Sequence, residues 1–173
     1  MNGNERQLLR HFLATLAYRT QKALKGASID FASFKIQVGV RTPQQLLRHM
    51  NGVLNYALSH ATEVETPLQN LATLLEEQMR FHDIIEQLSR HLDCDTSFSS
   101  TSAEQLLQGP FTDAMTHAGQ LAMLRRLFGS PIPPENFHAA AISASNLSAD
   151  QPEAAEPDAQ WFDAEGKPEV PHD

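Results

Sequence analysis

Asp113 and His117 stand four residues apart. On a helix that spacing puts a carboxylate and an imidazole on the same face, one turn apart. Two such groups can share one metal ion, as the paired histidines of zinc-protease helices do. His49, at the edge of the apolar arc of an earlier helix, is the candidate third ligand. Two imidazoles and one carboxylate suit zinc, nickel, iron(II) or manganese and leave coordination positions open for water or a substrate. An ion there would lower the pKa of a bound water and make it a nucleophile or base. Gln120, one turn beyond His117, could orient a ligand or that water. His82 and Tyr56 are candidates for a second layer or a pocket wall. The plain alternative is a hydrogen-bonded core histidine beside a first-turn acid that the helix dipole favours.

The helix that must carry this pair runs from Gly109 to Gly129. Pro110 fits a first helical position, and Gly129 followed by Pro131 marks a stop. At 100° per residue, Phe111, Met115, Ala118 and Ala122 share one face. Asp113, Thr116, His117 and Gln120 share the opposite face, which continues as Leu124 and Leu127. Polar groups on an inward stripe require partners. Arg125 and Arg126 complement the negative end of this helix.

Three further helices are expected. Leu9, Phe12, Leu13, Leu16, Ala17 and Leu24 recur at helical spacing across residues 4–25. Residues 27–41 lack that period and read as a loop that Phe31 and Phe34 plug onto the fold. Thr42, Pro43 and Gln45 form a strong helix start. The helix runs to about His60 on the arc Leu46, Leu47, Met50, Val53, Leu54 and Ala57. A third helix is expected from Thr66-Pro67 to Leu92. Its inner stripe would be Leu68, Leu71, Leu75, Met79, His82 and Ile85, with Glu76, Glu77, Glu86 and Arg90 elsewhere. Residues 93–101 are a connection, and Ser102 with Gln105 resembles a capping box for a short turn through Gln108. No alternating run suggests a sheet. The expected fold is all-α, an up-and-down four-helix bundle over residues 1–140. Residues 141–173 form an acidic, proline-containing tail, flexible or docked, in which the pair Trp161-Phe162 could tuck against a groove or a partner.

The 173 residues carry a formal charge of −8. That balance argues against a nucleic-acid binder, which needs a basic face. The single Cys94 cannot form an intramolecular disulfide, which suits a reducing compartment. Its acidic neighbours Asp93 and Asp95 disfavour a thiolate nucleophile. No apolar run is long enough for a membrane span, and no signal segment is seen, so the cytoplasm is expected.

The stretches RTPQQLLRHMNGVLNYAL and FTDAMTHAGQLAMLRRLFGSPI resemble the DinB-like (DinB/YfiT) group of metal-dependent bundle proteins. That group carries a histidine early in its second helix and an H-x-x-x-H pair followed by Gln in its last. The resemblance implies that His49 and His117 are ligands. Asp113 stands where the group has the first histidine of the pair, and aspartate also ligates. The resemblance spans residues 1–138 and is specific in the two stretches quoted. It implies a divalent-metal-dependent hydrolase or thiol transferase acting on a small molecule, commonly a homodimer. The alternative is a non-catalytic metal- or ligand-binding bundle that serves as a structural or sensing dimer.

Overall fold

The computed structural model describes residues 1–94, 98 and 100–158. Trp161 and Phe162 lie outside the described residues. The described chain is all-helical apart from one isolated β-bridge between Glu135 and Pro157. Four long helices form it: α1 (Gly3–Leu24), α2 (Pro43–Thr62), α3 (Leu74–Asp93) and α5 (Thr112–Leu127). A single turn, α4 (Ala103–Leu106), precedes α5. Among the described residues, no helix is long and apolar enough to cross a membrane.

Each helix start has a local cause. Asn2, Thr42, Thr73 and Ser102 each accept from the backbone N–H three residues on, and the side chain there reaches back to the cap. These reciprocal boxes satisfy donors that a helix end leaves unpaired. Gly129, at φ 83°, follows α5 in the left-handed region where glycine is unstrained. Arg125 is buried and donates to the carbonyls of Ser130 (2.9 Å) and Lys25 (3.3 Å), so it closes the ends of α5 and α1 together.

The order around the bundle is not the expected up-and-down one. α1 and α2 each pack on α3 and α5 rather than on each other. Arg6, near the start of α1, donates to the Leu92 carbonyl near the end of α3. Gln78, near the start of α3, donates to Gln21 near the end of α1. These two helices are therefore antiparallel. α2 and α3 run parallel: Gln44 reaches the carbonyls of Leu71 and Ala72 ahead of α3, while His60 meets Ser100 beyond its end. The path is up, down, down, up. The parallel pair makes residues 63–73 retrace the length of α2. Its 20 residues span about 30 Å at 1.5 Å each. An extended run of residues 63–73 reaches about 36 Å.

That return run explains where α3 begins. Thr66-Pro67 with Gln69 has the same starting pattern as Thr42-Pro43 with Gln45, but residues 67–71 are not helical. The later box, Thr73 with Glu76, opens the helix instead. The inward stripe shifts accordingly. Glu77, Phe81, Ile84, Ile85, Leu88 and Leu92 are buried, whereas Leu75 and Met79 are 64% and 65% exposed. Glu77, expected outside, has a fully buried side chain.

α5 also starts differently. The chain is already helical from Ala103 and passes through a wide, π-type turn at Leu107–Phe111 that contains Pro110. Proline has no N–H to give, and Gly109 takes a non-helical conformation just before it (φ −95°, ψ −106°). The Thr112 hydroxyl donates to the Leu107 carbonyl at 2.6 Å. Past this kink, Phe111 is buried and stacks on Phe12 of α1, with ring centroids 6.0 Å apart. Leu127, expected to continue the polar stripe inward, is exposed instead.

The core collects most of the expected apolar residues of α1 and α2, including Leu9, Leu13, Leu16, Leu47, Met50 and Leu54. Phe31 is fully buried and Phe34 half-buried; both pack on Phe128 (centroids 5.5 and 5.2 Å). The segment before α2 is thus plugged to the end of α5, with a short 3-10 turn at Ile29–Ser33. Residues 131–158 lie back on the bundle. Glu135 is buried, accepts from the Tyr18 hydroxyl at 2.8 Å and pairs with Lys22. Phe137 sits under the Arg19 guanidinium (3.9 Å), and Leu147 is buried beside α3.

Candidate metal centre

α2 and α5 are antiparallel neighbours, and their facing sides bring His49 to Asp113 and His117. His49 Nε2 is 3.3 Å from Asp113 Oδ2, and His117 Nε2 is 3.4 Å from Asp113 Oδ1. The imidazoles meet edge to face, with centroids 4.7 Å apart. One ligand atom from each residue can be chosen so that all lie within 4.8 Å of one another. Asp113 sits in the first turn of α5, just past the Pro110 kink, where the helix dipole favours a carboxylate. His49 is held by the capped first turns of α2, one turn after buried Leu46.

Gln120, one turn along α5, sets the proton arrangement. Its Oε1 lies 2.7 Å from His117 Nδ1. An amide oxygen only accepts, so Nδ1 carries the hydrogen. In neutral His117 the lone pair is then on Nε2, the nitrogen that faces Asp113 Oδ1. Two acceptors face each other, a pairing that only a cation or an extra proton between them makes favourable. An ion would draw the three together: two ligands held about 2.0–2.1 Å from one tetrahedral centre stand about 3.3–3.4 Å apart, against a spread of up to 4.8 Å here.

Burial, then the nearby charge of Arg41 and the neighbouring His117, hold the His49 imidazole below its ordinary value of 6.5; Asp113 pulls it the other way. A neutral imidazole is the form that binds a metal. Exposure is graded across the cluster. The side chain of His117 is 9% exposed, His49 33% and Asp113 44%, so the outer side of the centre opens to solvent.

Two residues expected near this centre are elsewhere. His82 is buried on α3 and turned the other way, with Nδ1 2.7 Å from the Leu147 carbonyl and Nε2 3.4 Å from Gln21 Oε1. Its task is to hold the returning segment on the bundle. Tyr56, two turns beyond His49, is 55% exposed and meets His60 edge-on (4.8 Å). Cys94 is exposed at the end of α3.

One feature of the centre has no counterpart among the expected residues. A cleft of about 500 Å³ adjoins His117 and Gln120; Val40, Arg41, Leu46 and Leu124 also line it. The signal for Arg41 was its position just ahead of the Thr42 cap. A cation there opposes the helix dipole and adds nothing to the helix.

Compared with protein-family models, curated proteins and solved structures, the chain matches none of them.

Proposed function

We propose that the chain is a metal-binding protein of DinB-like type, with His49, Asp113 and His117 holding one divalent ion between α2 and α5. The observation that carries this reading is the Gln120–His117–Asp113 relay. A glutamine carbonyl fixes the histidine tautomer, and the lone pair so directed faces a carboxylate oxygen at 3.4 Å. Ordinary core histidines find a donor or an acceptor to match; this arrangement matches a cation or an extra proton, and the second imidazole, His49, on the same carboxylate supports the cation. A histidine pair with one carboxylate admits zinc, nickel, iron or manganese.

With three protein ligands and a solvent-facing side, the centre supports an enzyme, a hydrolase or thiol transferase acting on a small molecule. Bound there, the ion would supply Lewis acidity toward a water or a thiol. The chain's own share is to keep His49 neutral, to orient His117 through Gln120, and to bound the cleft in which a substrate would sit. Among the described residues, no other His, Cys, Asp or Glu cluster with metal-ligand spacing exists. The same resemblance implies a homodimer, which sedimentation of the loaded protein would test.

The decisive measurement is metal content and affinity. Purified without chelator, or refolded and titrated with zinc, nickel and manganese, the wild type is expected to take close to one ion per chain. Asp113→Ala and His117→Ala should each lose at least about a hundredfold in affinity while remaining folded by circular dichroism. A wild type that binds no ion, or variants that bind as well as wild type, would overturn the reading.

A further inference from the structure

The cleft beside the metal centre has a composition that selects for a ligand. Its apolar wall comes from Val40, Leu46, Leu124 and Met123, and its polar groups are His117, Gln120 and Arg41. In a chain of net charge −8, this cleft has no carboxylate among its lining residues and one full positive charge. Its volume, about 500 Å³, lies within the usual range for small-molecule sites.

Arg41 is placed for this and for little else. It is exposed at the residue before the Thr42 cap, where the positive end of α2 makes a cation unfavourable. Several other arginines are engaged. Arg10 pairs with Asp93, Arg48 with Glu77, and Arg125 with the carbonyls of Ser130 and Lys25. Arg41 has no hydrogen bond or ion pair among the described residues. It lines the same cleft as His117. Gln120 faces the cleft with its oxygen engaged by His117, which leaves its amide hydrogens as further donors.

We propose that this cleft binds a small organic anion with an apolar body, its carboxylate-like end on Arg41 and its chain along Val40, Leu46 and Leu124, within reach of the His49–Asp113–His117 centre. A single guanidinium matches a single carboxylate by a bidentate fork. The apolar wall excludes a bare inorganic anion as the best ligand, because such an ion leaves that surface wet. The inference deepens the metal-binding reading, and it rests on that reading for calling the cleft a substrate site.

Hexanoate, 1-hexanol and hexylammonium share a chain and differ in charge, so they isolate the anion preference. Titrated into the ion-free protein and followed by amide and methyl NMR shifts, hexanoate is expected to bind about tenfold or more tighter than the other two. The shifts should map to Val40, Leu46 and Met123. Arg41→Gln should remove that preference by about tenfold, and Arg41→Lys should keep part of it. Thermal melts of both variants within a few degrees of wild type would show that the fold is intact. Equal binding of the three probes, an unchanged preference in Arg41→Gln, or shifts that map elsewhere would overturn the anion cleft. Manganese then tests the neighbourhood: with the ion bound, the hexanoate protons should relax faster than in Asp113→Ala given the same ion. Bound manganese without that effect overturns the substrate-site assignment. A protein that takes up no manganese refutes the metal reading and the substrate-site assignment with it, while the hexanoate preference still decides the anion cleft.

Discussion

At nearly the same level, α2 shows a carboxylate cluster to each of its two neighbours, and the two clusters are built on opposite plans. Toward α3, Glu77 is enclosed and answered by donors. Its Oε1 accepts from Arg48 Nε (2.9 Å) and from the Leu71 N–H (3.0 Å), and its Oε2 from Asn51 (2.9 Å), with Arg80 at 3.7 Å. Toward α5, Asp113 is half-open and faces two imidazole nitrogens at 3.3 and 3.4 Å. One carboxylate is neutralised by the chain itself. The other is set among groups that become complementary once a cation is shared among them. Burial would raise the carboxyl of Glu77, but Arg48, the Leu71 N–H, Asn51 and Arg80 together hold it below 4.5. The first cluster therefore belongs to stability, and the second is the proposed binding site.

The contrast is broken most severely at Glu77. Replacing it by alanine leaves the Leu71 N–H without its acceptor, leaves Asn51 only the backbone carbonyl of residue 77, and leaves two arginines without their counter-ion. A loss of about 3–5 kcal/mol is expected, as for one partner of a buried ion pair. Thermal or urea unfolding would measure it, and a loss below about 1 kcal/mol would contradict the picture of a structural keystone. Asp113→Ala should behave oppositely. Without metal its cost stays within about 1 kcal/mol, as for a half-exposed pair. With metal at a hundredfold its Kd, wild type gains about 2.7 kcal/mol that the variant lacks. Melting curves with and without zinc would compare the two. Equal zinc responses would remove the distinction between the clusters.

Gln120→Leu sharpens the same contrast. It leaves all three ligands in place but removes the acceptor at His117 Nδ1. Partners of ligating histidines typically matter by about 10–100-fold in metal affinity. The loss should appear in a zinc titration with little change in the ion-free melting temperature. An unchanged affinity would mean that the tautomer is not set by Gln120.

How far each cluster is legible in the sequence follows from how local its causes are. The Asp113–His117 spacing and the arc of α2 are local, and the structure brings both elements together with His49 between them. Glu77 was not legible as a buried residue, because its position depends on which of two equivalent capping patterns opens α3. Thr66-Pro67 with Gln69 and Thr73 with Glu76 satisfy the same local rule. The choice is tertiary: α2 and α3 run parallel, so residues 67–73 must travel, and Gln44 and Arg48 bind the carbonyls of Leu71 and Ala72 along the way. The leucines at 68, 71 and 75 then lose their claim to the inner stripe, and Phe81, Ile84 and Leu88 take it. Arg41 reaches its cleft through a different contact, the packing of α2 on α5.

The clusters should also part company with pH. His49 is held below 6.5 and Glu77 below 4.5 in the folded chain. A folded pKa below the unfolded one means that the unfolded chain takes up protons first on acidification. The stability from each group is therefore complete above its ordinary value and is lost as pH falls through the folded one. The zinc-dependent gain in melting temperature is expected to disappear first, as pH falls below 6.5 and a proton on His49 competes with the ion. The ion-free melting temperature should drop steeply only below 4.5, as Glu77 protonates. Coincident losses would place both carboxylates in one cooperative unit.

The smallest expected effect tests whether α2 carries the two clusters as a rigid body. The Thr42 hydroxyl accepts from the Gln45 N–H at 3.3 Å, and Gln45 accepts from the Thr42 N–H at 3.0 Å. Thr42→Ala removes the first of these bonds and should cost about 1 kcal/mol. The loss falls on the first turn, Pro43–Gln45, whereas Leu46, Leu47 and Met50 are buried below it and fix the phase of the helix. His49 lies between those anchors. Zinc affinity should therefore change by less than about threefold even as global stability falls. A much larger loss of zinc affinity would show that the end of α2, and with it the neighbouring Arg41, sets the position of His49 more than the core does.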